Sequence, residues 1–533
     1  MILTAISLLT IALPAALAWW LIGSSGFGTG GKVRALLVGG TSFMALVIVP
    51  AQMCEFARRA GAINRVGPLA LLAAQAELSV ALLLLVARAA PEIGLPLQKG
   101  RPLSWPMMLT FGFVALSIAA LGADAATSYP GGREALASTL PRAVRWLQDG
   151  GLTSPPPSVA GRGLPGNEEL GLMILFPAVG QRLSTAFSLL GALMAAASTH
   201  EISRKVVPNS NAESLAPLLF LSLPVVQYHA FQAEADLFGA GFLLAGLALF
   251  LGRDEPPKNV SPQRGYAWAL GLTGLSLGLA SGTQRLLALR AAVLMALIFI
   301  VILRETQGTK TITTRLALFL VATILPCAIW YIGEGFPIRS LGTTAQLDFE
   351  PWPRLAPLRF LWRLPPWAIP EVALVCVLAA SWIGRLGTVA TRLARIITFG
   401  LVAVLCMPIA VDAARSTQRR INAQEWMRFR VYHYFRAIDD FSPGSRVLEM
   451  NEKGPDAFML AGRYLTNKVI PRSTIPGPIT REALLREGID YIYESPASPS
   501  VALQQKGAFI LAEGYVDRRP DQLWRLWKVD RGY

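Results

Sequence analysis

The chain has 533 residues, 53% hydrophobic and 16% charged, with a formal net charge of +15 and a mean hydropathy of +0.45. Those values exclude an ordinary soluble enzyme. Several apolar runs approach or exceed the length needed to span a bilayer, so the composition reads as a polytopic helical membrane protein. The Lys and Arg excess sits mostly in short loops and in the tail, where it serves topology and contact with anionic headgroups. No basic run alternates with exposed aromatics, which argues against nucleic acid as a partner.

In chain order, the first apolar run follows Met1 without a basic n-region. It is expected to be a transmembrane helix and not a cleaved signal peptide. Hydropathy predicts about twelve spans, near residues 3–22, 36–54, 68–89, 106–122, 170–197, 214–231, 236–252, 266–282, 287–303, 314–333, 367–385 and 393–412. Lys32/Arg34, Lys99/Arg101, Arg204/Lys205, Arg253/Lys258/Arg264, Arg304/Lys310/Arg315 and Arg385/Arg392/Arg395 fall on one side, which the positive-inside rule makes cytoplasmic. The loops 123–169 and 334–366 and the tail from 413 are then extracytoplasmic. Arg58, Arg59 and Arg65 fall on that outer side, against the rule.

The composition changes from about residue 420. Strands are predicted at Ser445–Met450, Lys468–Ile470 and Ile489–Tyr493. Helices are predicted at Asp456–Thr466, at Thr480–Glu487 with Thr480 as N-cap, and at Val501–Gln505. A closing hairpin over 509–515 and 522–529 follows. This alternation predicts a small α/β domain. The expected organisation is N-terminal transmembrane helices over 1–105, a transmembrane core over 106–415, and a soluble α/β domain over 416–533.

Cys54, Cys327, Cys376 and Cys406 lie in or beside apolar runs without CxxC spacing and read as small hydrophobes. His200, His229 and His433 are too far apart to suggest a zinc motif. The long polar stretch Gly122–Pro177 interrupts the early spans. Within it, Leu140, Val144 and Leu147 fall at helical spacing, with Trp146 and charges opposite, which predicts an amphipathic helix at the membrane surface. Acids flank it: Asp124 and Glu134 before, Glu168 and Glu169 after.

This stretch resembles the first large loop of GT-C glycosyltransferases, in particular bacterial relatives of the protein-mannosyltransferase and aminoarabinose-transferase group. The matching residues are Glu134-Ala135-Leu136, Leu140-Pro141, Trp146-Leu147-Gln148, Gly150, Pro165, Asn167, Glu169 and Leu170. Glu134 stands where the family has Asp, and Ser138-Thr139 where it has Tyr-His. Farther on, Gln227 and Asp236-Leu237 match. Gln284 replaces a Lys, with Arg285 following. Trp330-Tyr331 is kept, but Gly333-Glu334 replaces Arg-Asn.

The resemblance implies a GT-C-like fold in a bacterial inner membrane, with the tail outside. The implied reaction is transfer of a sugar from a polyprenyl-phosphate donor to a lipid, glycan or protein. Glu134 would be the base and Asp124 a second candidate. Asn167, Glu169, Gln227 and Asp236 would line the acceptor site, and Arg285 and Arg339 would meet the phosphate. No cofactor is assigned. A divalent metal between the acids is compatible with their chemistry, but no spacing supports one. The alternative is a non-catalytic GT-C-like subunit that binds a membrane protein complex or a lipid-linked glycan, since four polar motif positions have changed. A secondary transporter fits less well, because the sequence shows neither paired repeats nor midplane charges in broken helices.

Overall fold

A computed structural model describes residues 2–24, 32–87, 105–127, 135, 139–152, 166–179, 183–206, 212–233, 235–254, 262–305, 309–333, 368–385, 388–422, 444–450, 460–461, 467–494, 508–515 and 523–529. The helices are α1 (Ile2–Ser24), α2 (Lys32–Arg59), α3 (Pro68–Ala87), α4 (Trp105–Thr127), α5 (Leu140–Asp149), α6 (Asn167–Val179), α7 (Ala186–Val206), α8 (Ala212–Ser222), α9 (Pro224–Ala230), α10 (Ala235–Leu251), α11 (Pro262–Ser281), α12 (Arg285–Glu305) and α13 (Thr309–Ile324). A π-helical turn over Ile329–Gly333 comes next, then α14 (Ile369–Arg385) and α15 (Thr388–Asn422).

Among the described residues, each predicted span overlaps at least one helix. Three of them are broken: 170–197 divides into α6 and α7, 214–231 into α8 and α9, and 314–333 into α13 and the π-helical turn. Among the described residues, four helices are long and apolar enough to cross a membrane, and six shorter ones are apolar. Their outward faces are apolar too. On α12, Leu289, Val293, Leu297 and Ile300 are exposed at helical spacing, as lipid contact requires.

α7 and α10 form the tightest pair. A Cβ on Gly191 would lie 2.5 Å from the Leu237 carbonyl oxygen, and one on Gly241 would lie 2.3 Å from the Gly191 oxygen. Backbone approach of this kind is how helices associate where lipid supplies no hydrophobic drive.

Prolines inside membrane helices free the carbonyl four residues back, and side chains from neighbouring segments answer them. Pro14 frees Thr10 and Pro50 frees Leu46. The Gln75 amide on α3 donates to both carbonyls, at 2.9 Å and 3.5 Å. Pro217 frees Glu213, whose carbonyl lies 2.6 Å from His200 Nδ1. A carbonyl can only accept, so that nitrogen carries the proton.

The tail holds β1 (Arg446–Glu449), β2 (Lys468–Pro471), α16 (Arg481–Arg486), β3 (Tyr491–Glu494), β4 (Ala508–Tyr515) and β5 (Leu523–Val529). The sheet order is β2-β1-β3-β5-β4. β1 is parallel to β2 and β3, and β5 is antiparallel to β3 and β4. Thr480 caps α16 as expected, accepting from the Ala483 N–H at 3.2 Å. One sheet face packs Leu448, Ile470, Ile492 and Trp527 with Leu484. Almost all of the helix expected at 456–466, and all of that at 501–505, lie outside the described residues.

Candidate functional site

The site is built around α5. Pro141 opens this helix and Gly150, at φ +70°, closes it in the left-handed region, with its N–H bonded to the Trp146 carbonyl. Leu140 and Val144 are buried as expected. Trp146 and Arg142 correct the expectation of an outward polar face, because both are buried as well. α5 is therefore wedged into the protein on two sides and does not merely lie on the membrane surface. The cause is α6, whose first turn offers a carboxylate: Glu169 forms an ion pair with Arg142, and the guanidinium also lies 5.5 Å from the Trp146 ring.

Trp146 stacks on Trp330 of the π-helical turn, with ring centroids 5.7 Å apart. The Trp330 indole N–H donates to Asn167 Oδ1 at 2.9 Å. Asn167 is a junction. Its side-chain amide donates to the Pro326 and Leu279 carbonyls at 2.9 Å and 3.1 Å, and its backbone N–H donates to the Gly282 carbonyl at 2.8 Å. Gln52 of α2 donates to the same Asn167 oxygen at 3.2 Å and to the Pro326 carbonyl at 2.6 Å. The Tyr331 hydroxyl donates to the Ser281 carbonyl at 2.7 Å. The first loop, the α11–α12 corner and the turn after α13 thus meet in one hydrogen-bonded cluster.

Two adjacent glutamates are fully buried there. Glu168 accepts from the Ser188 hydroxyl at 2.8 Å. Glu169 sits in the first turn of α6, just outside the predicted span. Burial pushes its carboxyl above the ordinary range, while the Arg142 charge and hydrogen bond pull it back. Buried acids at a membrane boundary are costly and mark functional sites by default.

The sequence-derived candidates are placed as follows. Asn167 and Glu169 lie in the cluster. Arg285 begins α12, beside Tyr331. Asp124 is half-buried in the last turn of α4, and Asp236 is buried in the first turn of α10. Gln227 ties helices together: its amide accepts from Ser117 of α4 and donates to the Leu221 carbonyl at 2.8 Å and to Cys406 of α15 at 3.4 Å. Glu134 and Arg339 lie outside the described residues. Among the described residues no three His, Cys, Asp or Glu side chains come together to hold a metal, and Glu169 faces a guanidinium, which disfavours a cation there. Sequence reasoning did not single out Gln52, Glu55 and Arg142. Only a polar residue on an apolar helix marked the first two.

No protein-family model matches the sequence, and no curated protein matches it. Solved structures do. The crystal structure of ArnT from Cupriavidus metallidurans bound to undecaprenyl phosphate superposes with a TM-score of 0.53 at 13% identity, covering 80% of this chain and 98% of that one. Its apo state gives 0.51 at the same identity, covering 80% and 99%. The fold is GT-C. An Archaeoglobus fulgidus oligosaccharyltransferase in the apo form aligns at a TM-score of 0.36 and 11% identity, over 74% of this chain and 70% of that one. About a fifth of this chain falls outside the superposition on ArnT.

Proposed function

We propose that this chain is a GT-C-type integral membrane glycosyltransferase of a bacterial inner membrane. It takes a sugar from a polyprenyl-phosphate donor on the extracytoplasmic face and passes it to a lipid, glycan or protein. An acceptor hydroxyl attacks the sugar's anomeric carbon, the bond from that carbon to the phosphate oxygen breaks, and the phosphate leaves with the electron pair. The acceptor proton passes to a carboxylate, for which Glu134 is the first choice and Asp124 the second. Glu169 and Asp236 shape the acceptor side, and Arg285 and Arg339 neutralise the leaving phosphate. The observation that supports this most is the likeness over nearly the whole length of a protein solved with undecaprenyl phosphate, joined to two fully buried glutamates on the loop face.

The deciding experiment is native mass spectrometry of the protein extracted from its own membranes, followed by transfer assays of Glu134→Gln. A bound polyprenyl-phosphate sugar, with turnover lost in the variant, is the expected result. Full activity of Glu134→Gln removes that residue from the mechanism.

A second reading is a non-catalytic GT-C subunit that binds a membrane complex. One observation favours it: the Asn167 and Gln227 side chains, both expected to bind substrate, have their amides taken up by the protein itself. A protein partner at fixed stoichiometry with no bound lipid-linked sugar would establish that reading.

A further inference from the structure

α2 belongs to the first hundred residues, ahead of the segment that carries the family resemblance. It is nevertheless buried over most of its length and touches every level of the membrane core. Arg34 donates to the Gly252 carbonyl at 2.5 Å, Thr41 meets Ser276 at 2.8 Å, and Gln52 reaches the Asn167 junction. We propose that the end of α2 is a clamp that positions the catalytic-side loop: Gln52 and Glu55, one turn apart, set the register of α5 against the turn that carries Trp330.

Glu55 is fully buried. Its carboxylate accepts from Arg58 at 2.6 Å and 2.7 Å, from Arg59 at 2.9 Å, and from the backbone N–H of Leu152 at 3.2 Å. The last bond joins α2 to the chain just past the end of α5. Arg65 donates to the Leu147 and Gln148 carbonyls at 3.1 Å and 3.3 Å, closing the C-terminus of α5, where a cation is favourable. The Val66 N–H donates to the Gly150 carbonyl at 2.7 Å. Gly150 and Gly151 have no side chains because the arginines pass there. A Cβ on Gly150 would lie 2.0 Å from Arg65 Cγ, and one on Gly151 would lie 2.3 Å from Arg58 Nε. These contacts explain the three arginines that violate the positive-inside rule: they are committed to a carboxylate and a helix end.

The clamp reaches farther. The C-terminal turn of α5 also holds the tail. Gln148 donates to the Asn467 carbonyl at 2.6 Å, and Asp149 faces Lys468 at 3.9 Å. α2, α5 and the edge strand β2 are thus linked in series, and Glu55 is a positioning residue for all that follows it.

Hydrogen exchange of the full chain in lipid nanodiscs, without substrate, tests this. Glu55→Ala removes the acceptor for three donors, at least one of them worth about 1.4 kcal/mol, or about tenfold in local opening. Amides over 140–152 are expected to exchange about tenfold faster, those over 467–471 to follow in the same direction, and those of α10 to stay unchanged. Glu55→Gln keeps an acceptor and is expected to rescue part of the effect. If Glu55→Ala fails to fold, Glu55→Gln and Gly151→Ala carry the same comparison. Unchanged exchange over 140–152, or an equal rise throughout including α10, overturns the proposal. The readout needs no sugar donor, so a wild-type protein that binds no polyprenyl phosphate refutes the enzyme reading while leaving the clamp to be decided.

Discussion

Arg142→Met isolates the buried ion pair of the loop face. The thioether keeps contact with Trp146 while the charge disappears. Glu169 is then a fully buried acid whose counter-charge is gone. Breaking one side of such a pair costs about 3–5 kcal/mol, whereas replacing both sides by apolar groups is often close to neutral. A double-mutant cycle of Arg142→Met, Glu169→Met and the pair, read by pulse proteolysis in detergent, is expected to show a coupling well above about 1 kcal/mol, with the double variant more stable than Arg142→Met alone.

The pH dependence has a definite sign. In the variant burial is opposed only by the backbone hydrogen bond to Glu169, so its folded carboxyl is held farther above the unfolded value, near pH ~4.3, than in the wild type. The folded state then binds more protons, and its stability falls as pH rises above that value, by up to about 1.4 kcal/mol per unit. The wild type shifts in the same direction, but less, because Arg142 opposes burial. A coupling below about 0.5 kcal/mol, or a defect that is flat between pH 5 and 8, would show that the pair is not buried as described.

Gln75→Leu removes the donor for two proline-freed carbonyls. It is expected to cost about 1–3 kcal/mol, seen as earlier heat-induced loss of the monodisperse peak on size exclusion. Gly241→Leu drives a side chain into the α7 backbone, where even a Cβ meets the Gly191 oxygen at 2.3 Å. It is expected to abolish stable folding, whereas Gly271→Ala, which meets nothing closer than 4.0 Å, leaves the melting behaviour unchanged.

The helical character of the apolar runs, the strand pattern of the tail and the Thr480 cap were legible because each rests on local periodicity or on neighbours within one turn. The hairpin that closes the sheet was legible for the same reason. The break at Leu223 was not, because hydropathy stays high across it. Trp146 and Arg142 turn inward since α6 supplies Glu169 and the π-helical turn supplies Trp330. No helical wheel of α5 alone contains those partners.

By itself the sequence determined that the chain is a helical membrane protein with a small α/β tail and a polar loop rich in acids. Hydrophobic length and alternation are properties of short windows, and they survive without any tertiary contact. Tertiary structure decided what the polar residues do. Arg58, Arg59 and Arg65 look like topology signals until Glu55 and the end of α5 come to meet them, and Gln75 and His200 look incidental until the proline-freed carbonyls of Thr10, Leu46 and Glu213 face them. Buried polar groups in a membrane must find partners wherever packing brings them, here across 97 residues to Leu152 and 163 to Trp330.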